Sequence, residues 1–303
     1  MMLALVRRFD TVAPVHSDCH ADSIEADVII FYDPQSTHHI KIEGLEKHPA
    51  LKMEYITDPH QKEIDGVYKQ FNLPVHKLGV EQRMERVKKR GVKYIISPVR
   101  DGFLRYFEPI LKGKAEEMLT WFPPAPAFPV YEDSILSRKI EVLGAGATWD
   151  GGIHAYDLRR QAYGLDCVSH VKHCLQDSTT PSGQDFHKLL SQYAGALAMS
   201  EFYPVPKYYE IPAAGCLCIA QYHKEYEYLG FKQFETCIFV SSENMESRIK
   251  DILEKPSYYS AIACAGANLI KDNYTADHFA EFIHSIAEKE MGCLTARQLE
   301  QLR

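Results

Sequence analysis

Pro204-Val-Pro-Lys-Tyr-Tyr-Glu-Ile-Pro-Ala-Ala-Gly-Cys-Leu-Cys-Ile-Ala220 is the stretch on which the reading of this 303-residue chain turns. Its prolines open a turn, and the residues after them suit a short helix with Lys207 and Glu210 three apart, hence on one face. Ala213, Ala214 and Gly215 are small enough to end that helix tightly. The apolar run that follows, Cys216 to Ala220, has the length of a buried strand. A helix start with a lysine beside it suits a diphosphate. A carboxylate one turn on can accept two hydrogen bonds from a ribose diol. The same spacing also fits a surface Lys–Glu pair on a helix that merely packs.

Outward from this stretch, apolar runs of strand length alternate with helical patterns. Strands are expected at Leu3–Val6, Asp27–Tyr32, Lys52–Ile56, Lys93–Ser97, Ile140–Gly144, Gly195–Met199, Cys216–Ala220 and Cys237–Val240. Amphipathic stretches such as Val80–Lys89, Phe186–Gln192 and Met245–Glu254 lie between several of them. That alternation predicts parallel sheets covered on both faces, with ligands beyond the carboxyl ends of the strands. The connector Trp121-Phe-Pro-Pro-Ala-Pro-Ala-Phe-Pro-Val130 cannot continue a helix or a central strand. It sets one lobe at residues 1–125 and a second at 135–303. The second is expected to keep a helical tail from Pro256 onward, its last piece opening at the capping box Thr295-Ala-Arg-Gln298.

A second informative segment is Val142-Leu-Gly-Ala-Gly-Ala-Thr-Trp-Asp-Gly-Gly-Ile-His-Ala-Tyr-Asp-Leu-Arg-Arg160. It reads as a strand, a glycine-rich loop containing Gly146, and a helix bearing His154, Tyr156, Arg159 and Arg160. Glycines let a backbone approach phosphate closely. The spacing is neither a dinucleotide fingerprint nor a Walker loop. Taken alone, the arginines also suit an exposed helix face in water.

In the first lobe, Tyr55-Ile-Thr-Asp-Pro-His60 ends a strand with Asp58 and His60 above the sheet, where a histidine can assist at a reacting centre. His38 and His39 follow the preceding strand in a similar place. The clusters His16-Ser-Asp-Cys-His20 and His170-Val-Lys-His-Cys174 each offer too few ligands for tetrahedral zinc, and no Asp-x-Asp follows a strand. No metal site is expected. The basic run Arg86-Val-Lys-Lys-Arg90 reads as a solvated helix face.

Bulk properties narrow the field. A net charge of −7 argues against nucleic acid as the main partner. The eight cysteines form neither a disulfide framework nor paired zinc ligands, which suits the reducing cytoplasm. Met1 to Val6 lacks the marks of a signal peptide, and no apolar run reaches the ~18 residues a spanning helix needs. A serine elbow of the Gly-x-Ser-x-Gly type is absent, and no base stands near Cys216 or Cys218.

Lys207-Tyr-Tyr-Glu-Ile-Pro-Ala-Ala-Gly215 resembles the motif in the C-terminal domain of GT-B glycosyltransferases, particularly the spore-maturation glycosyltransferase-like group. The blocks Glu225–Phe231, Asn244–Leu253, Tyr258–Gly266 and Asn273–Phe279 follow in an order similar to that family's closing third, so the resemblance covers roughly residues 135–290. Tyr156-Asp-Leu-Arg159 resembles the Tyr-Pro-x-Arg stretch after the family's first C-domain strand. The resemblance implies an α/β fold of two Rossmann-like lobes with parallel sheets and a cleft between, the N-terminal lobe being short.

It further implies transfer of a sugar from a nucleoside-diphosphate sugar, retaining and metal-independent. No cofactor is implied beyond that donor. Glu210 would hold the ribose, while Lys207, Arg159 and Arg160, with Tyr156 and Gly146, would surround the phosphates; His60, Lys207 and Arg159 are the catalytic candidates. Partners would be the sugar nucleotide and a carbohydrate, lipid-linked or protein acceptor, without nucleic acid or a transmembrane segment. One departure is Phe202, where many retaining members carry an acidic residue. It keeps open a divergent member that binds a nucleotide or glycan without transfer. A Rossmann-type oxidoreductase is the other alternative, and the missing fingerprint weighs against it.

Overall fold

The structure, a computed structural model, describes residues 18–32, 41–57, 80–126, 128–146, 148, 157–172, 181–200 and 203–301. The chain divides into two compact units, Met1–Pro123 with Ala276–Arg303, and Pro124–Thr275. The expected strand at Leu3–Val6 lies outside the described residues.

In the first unit, β1 (Cys19–His20) pairs in parallel with β3 (Ile42–Glu43). A parallel sheet of order β2-β4-β5-β6 is built from β2 (Val28–Tyr32), β4 (Leu51–Tyr55), β5 (Tyr94–Ser97) and β6 (Leu119–Trp121). Helices α1 (Val80–Arg90), α2 (Arg100–Leu111) and α3 (Ala115–Met118) complete it, with Met84, Val87, Ile95 and Phe103 buried together. Phe103 and Phe107, four apart on α2, stack at 4.5 Å.

The basic run is not the solvated face expected of it. Glu54 on β4 is fully buried, and its carboxylate accepts from Arg86 Nε at 2.9 Å and Arg90 Nη1 at 3.2 Å. Arg90 also lies over the Phe31 ring at 4.4 Å. The side chains of Arg86 and Arg90 are 11% and 14% exposed, against 74% for Lys89. Residues four apart share a helix face, and the buried carboxylate makes this face the inward one.

The helical tail also differs from its expected place. Helix α10 (Ala276–Gln301) belongs to the first unit. Phe279 meets Tyr55 edge-on at 5.9 Å and Phe122 at 5.4 Å, and Tyr94 Oη donates to Glu290 at 2.5 Å. The helix runs through residue 295 without a break, so the expected helix start there is not formed.

The second unit holds a parallel sheet of order β11-β10-β9-β7-β8. Its strands are β7 (Lys139–Gly146), β8 (Val168–Lys172), β9 (Tyr193–Ala198), β10 (Leu217–Gln221) and β11 (Ile238–Val240). Its helices are α4 (Asp157–Tyr163), α5 (Gly183–Leu190), α6 (Lys207–Ala213), α7 (Lys224–Tyr228), α8 (Met245–Glu254) and α9 (Pro256–Asn273). Alternate strand residues enter opposite cores. Val142, Leu197 and Leu217 pack with Ala162, Ile249 and Ile252, whereas Leu143, Ala196 and Cys218 pack with Leu190, Tyr208 and Ile211. Apolar side chains on both faces explain why these strands read as unbroken runs.

Strand β7 runs two residues beyond its expected end, so Ala145 and Gly146 are strand residues rather than loop. Because the chain passes from β7 to β8 on one side and returns to β9 on the other, the strand order reverses between β7 and β9, the place where such sheets hold ligands. Among the described residues, no helix is long and apolar enough to cross a membrane.

Candidate anion site at the strand reversal

At the carboxyl end of β7, the Ala145 carbonyl accepts from two side chains. Tyr163 Oη donates at 2.7 Å, and Lys207 Nζ donates to the same oxygen. Tyr163 arrives from α4, whereas Lys207 is the first residue of α6, placed there by the turn through Pro204 and Pro206. Gly146 follows with φ +140°, a backbone conformation that only glycine adopts without strain. A Cβ built on it would collide with Lys207 Nζ and lie 3.6 Å from Arg159 Nη1. The lysine and the arginine therefore converge on bare backbone.

Arg159 is 7% exposed, and its Nε donates to the Met199 carbonyl at 3.2 Å, just past the end of β9. Its guanidinium thus bridges the strands between which the order reverses. Burial drives the Lys207 ammonium down to about 7; the Arg159 charge pushes the same way and Glu210 partly opposes it. Burial raises the Glu210 carboxyl, with Lys207 as the counterweight. Two cations held this close favour an anion between them. The Phe186 ring lies 5.8 Å from Lys207 Nζ and limits hydration on that side.

Of the residues singled out from sequence, Gly146, Arg159, Lys207 and Glu210 fall within one electrostatic neighbourhood. Arg160 instead forms an ion pair with Asp157 on the exposed side of α4. His60, Tyr156, His154, Asp58, His38, His39 and Phe202 lie outside the described residues, as do His16, His173 and Cys174 of the two histidine clusters. The His170 ring packs at a tilt of 39° against Tyr163, centroids 4.6 Å apart, and His20 accepts from the Asp22 amide. Among the described residues, no group of three or more His, Cys, Asp or Glu side chains is placed to hold a metal ion.

Sequence reasoning passed over Tyr163, although it stands four residues after Arg159 and so on the same helix face. It also missed His223, whose Nε2 donates to the Ser200 carbonyl at 2.7 Å just after β9. Phe186 and the Met199 carbonyl carry no local signal, since strand order alone brings them here.

Residues 136–285 match the model of the family described as Glycosyl transferase-like. Among solved structures, Anabaena Alr3699/HepE in complex with UDP-glucose aligns with a TM-score of 0.51 at 10% identity, over 88% of this chain and 79% of that one. A mutant of S. aureus TarM in complex with Fondaparinux, alpha-GlcNAc-glycerol and UDP aligns with a TM-score of 0.54 at 10% identity, over 86% of this chain and 55% of that one. The GtfA/B complex aligns with a TM-score of 0.50 at 12% identity, over 88% of this chain and 58% of that one. The chain thus spans little more than half the length of the latter two. The likeness is one of fold, the α/β fold of GT-B glycosyltransferases with parallel, Rossmann-like sheets. The search of curated proteins found no match to the chain.

Proposed function

From the match of residues 136–285 to the glycosyl transferase-like model, we propose that the chain moves a glycosyl group from a nucleoside-diphosphate sugar to an acceptor. The observation that carries this reading is the convergence of Arg159 and Lys207 on the Gly146 backbone at the strand reversal. A leaving diphosphate gathers negative charge as the glycosidic bond breaks, and preorganised cations at that point lower the barrier. Lys207 and Arg159 supply that charge, so the transfer needs no metal in this reading. Glu210, one turn along α6, accepts the ribose hydroxyls. His60 remains the assisting group, and retention of configuration follows the family resemblance. The order of the C-terminal blocks supports the spore-maturation group. Free thiols at Cys167, Cys216, Cys218 and Cys237 support a cytoplasmic setting.

The uridine nucleotides bound by HepE and TarM make UDP-sugars the first donors to test. Calorimetric titration of UDP, GDP, CDP, ADP and TDP against the wild type and Glu210→Ala is the direct experiment. One nucleotide should bind, and the variant should weaken it about tenfold or more, the cost of a charge-assisted hydrogen bond. Equal binding by both proteins, or none at millimolar concentration, would overturn the assignment. Release of free sugar or transfer to an acceptor separates an enzyme from a binding protein.

A further inference from the structure

A second recess opens in the same unit and takes no part in the donor site. It is a groove of about 500 Å3 beyond the carboxyl ends of β10 and β11, bordered by α4. Asp157 and Gln161 line it from one face of α4, Gln221 and Tyr222 from the end of β10, and Ser242 and Glu243 from the turn into α8. Arg159 leaves α4 about 200° around the helix from Asp157, so the groove and the cationic site lie on different sides of one helix.

The lining has a chemistry of its own. Tyr222 is 51% exposed, yet its ring is held: it meets Phe239 edge-on at 5.2 Å, and its hydroxyl donates to Glu227 at 2.8 Å. A fixed aromatic ring open to a groove is a platform for an apolar ring face. Around it stand two primary amides and two carboxylates, groups that donate to and accept from vicinal hydroxyls. Gln161 Nε2 ties the far wall by donating to the Ser242 carbonyl at 3.3 Å. Hydroxyl bonds from Ser241 and Ser242 hold the Glu243 carboxyl below its usual range, so it is an anion at neutral pH. Among the described residues, neither lysine nor arginine lines the groove; Arg160 pairs with Asp157 from the exposed side of α4, which leaves Glu243 to set the sign of the groove. The groove therefore disfavours phosphates and acidic sugars, in contrast to the site on the other side of α4.

We propose that this groove binds a carbohydrate residue that is neutral or carries an amine, its C–H face on Tyr222 and its hydroxyls on Gln161, Gln221 and Glu243. This carbohydrate site is separate from the donor site, and its affinity for carbohydrate does not rest on the donor reading above.

The test is saturation-transfer NMR with methyl α-glucoside, methyl β-galactoside, the methyl glycoside of glucosamine and methyl glucuronide, on the wild type, Tyr222→Ala and Tyr222→Phe. Tyr222 is exposed, so neither variant should disturb the fold, and thermal unfolding checks this. Transfer to at least one neutral or amino glycoside is expected, with methyl glucuronide weakest. Tyr222→Ala should reduce the signal at least fivefold, whereas Tyr222→Phe should keep most of it, because stacking needs the ring and not the hydroxyl. No transfer to any glycoside, an unchanged signal in Tyr222→Ala, or a preference for methyl glucuronide would overturn the proposal. UDP calorimetry on the same three proteins separates the two sites. Equal UDP affinity is expected, and a matching loss in Tyr222→Ala would assign the groove to the nucleotide and overturn it as a carbohydrate site. Absence of UDP binding in the wild type would sink the donor reading while the glycoside result still decides the groove.

Discussion

Arg159 Nε lies 3.2 Å from the Met199 carbonyl oxygen, so helix α4, which follows β7, is pinned to the backbone that follows β9. This bond fixes one of the two cations at the point where strand order reverses, and it makes the guanidinium a structural and a ligand-facing group at once.

Replacing Arg159 by lysine keeps the charge and loses the planar fork that reaches Met199. A buried carbonyl that loses its donor costs about 1–3 kcal/mol. Arg159→Lys should therefore lower the midpoint of thermal unfolding by several degrees and weaken UDP at least tenfold. A variant with unchanged affinity would remove Arg159 from the donor site.

Lys207, held near 7 by burial and by Arg159, predicts a specific pH dependence. A bound diphosphate favours the ammonium, so UDP affinity should fall as pH rises above 7, by up to about tenfold per unit while the complex stays protonated. Stability runs the other way. Between about 7 and the ordinary lysine value of 10.5 the unfolded chain keeps the proton that the native state has lost, so stability should rise with pH across that window. Comparing UDP affinity and urea unfolding at pH 6 to 9 in the wild type and Lys207→Met isolates both trends. A wild-type affinity that tracks the methionine variant would refute the assignment.

Gly146→Ala places a methyl group against Lys207 Nζ on backbone of positive φ. The strain alone should cost about 1–3 kcal/mol. The displaced lysine should carry UDP affinity down with it, measured by calorimetry on protein whose far-ultraviolet dichroism stays native. Unaltered binding would show that the ammonium is not needed in its observed place.

In the first unit, Glu54→Ala leaves Arg86 and Arg90 facing a buried space without their carboxylate. Removing one partner from a buried ion pair costs about 3–5 kcal/mol. Urea unfolding should detect that loss, while Lys89→Ala, on the exposed side of α1, should change stability by less than about 0.5 kcal/mol. Similar effects from the two would contradict the inward orientation of the basic run.

Much of the second unit is legible from local pattern. Runs such as Leu217-Cys-Ile-Ala-Gln221 are apolar on both faces, which only a strand covered on two sides allows, and the helices between them require parallel pairing. The helix from Lys207 and its end at Ala213, just before the positive-φ Gly215, follow from proline, small residues and glycine. Short or mixed elements escaped: β8, Val168-Ser-His-Val-Lys172, carries too many polar residues to stand out from a histidine cluster.

The amino-acid order by itself thus determined the parallel α/β architecture and put Arg159, Lys207 and Glu210 among the candidates, because residue type and local spacing carry that information. Only the tertiary structure decided that Arg159 reaches Met199, that Lys207 and Tyr163 share the Ala145 carbonyl, that Arg86 and Arg90 turn inward onto Glu54, and that α10 joins the first unit. Each of these joins residues far apart in the chain. Their proximity follows from strand order and from the burial of a charge beside its counter-charge, and neither is written in the spacing of neighbouring residues.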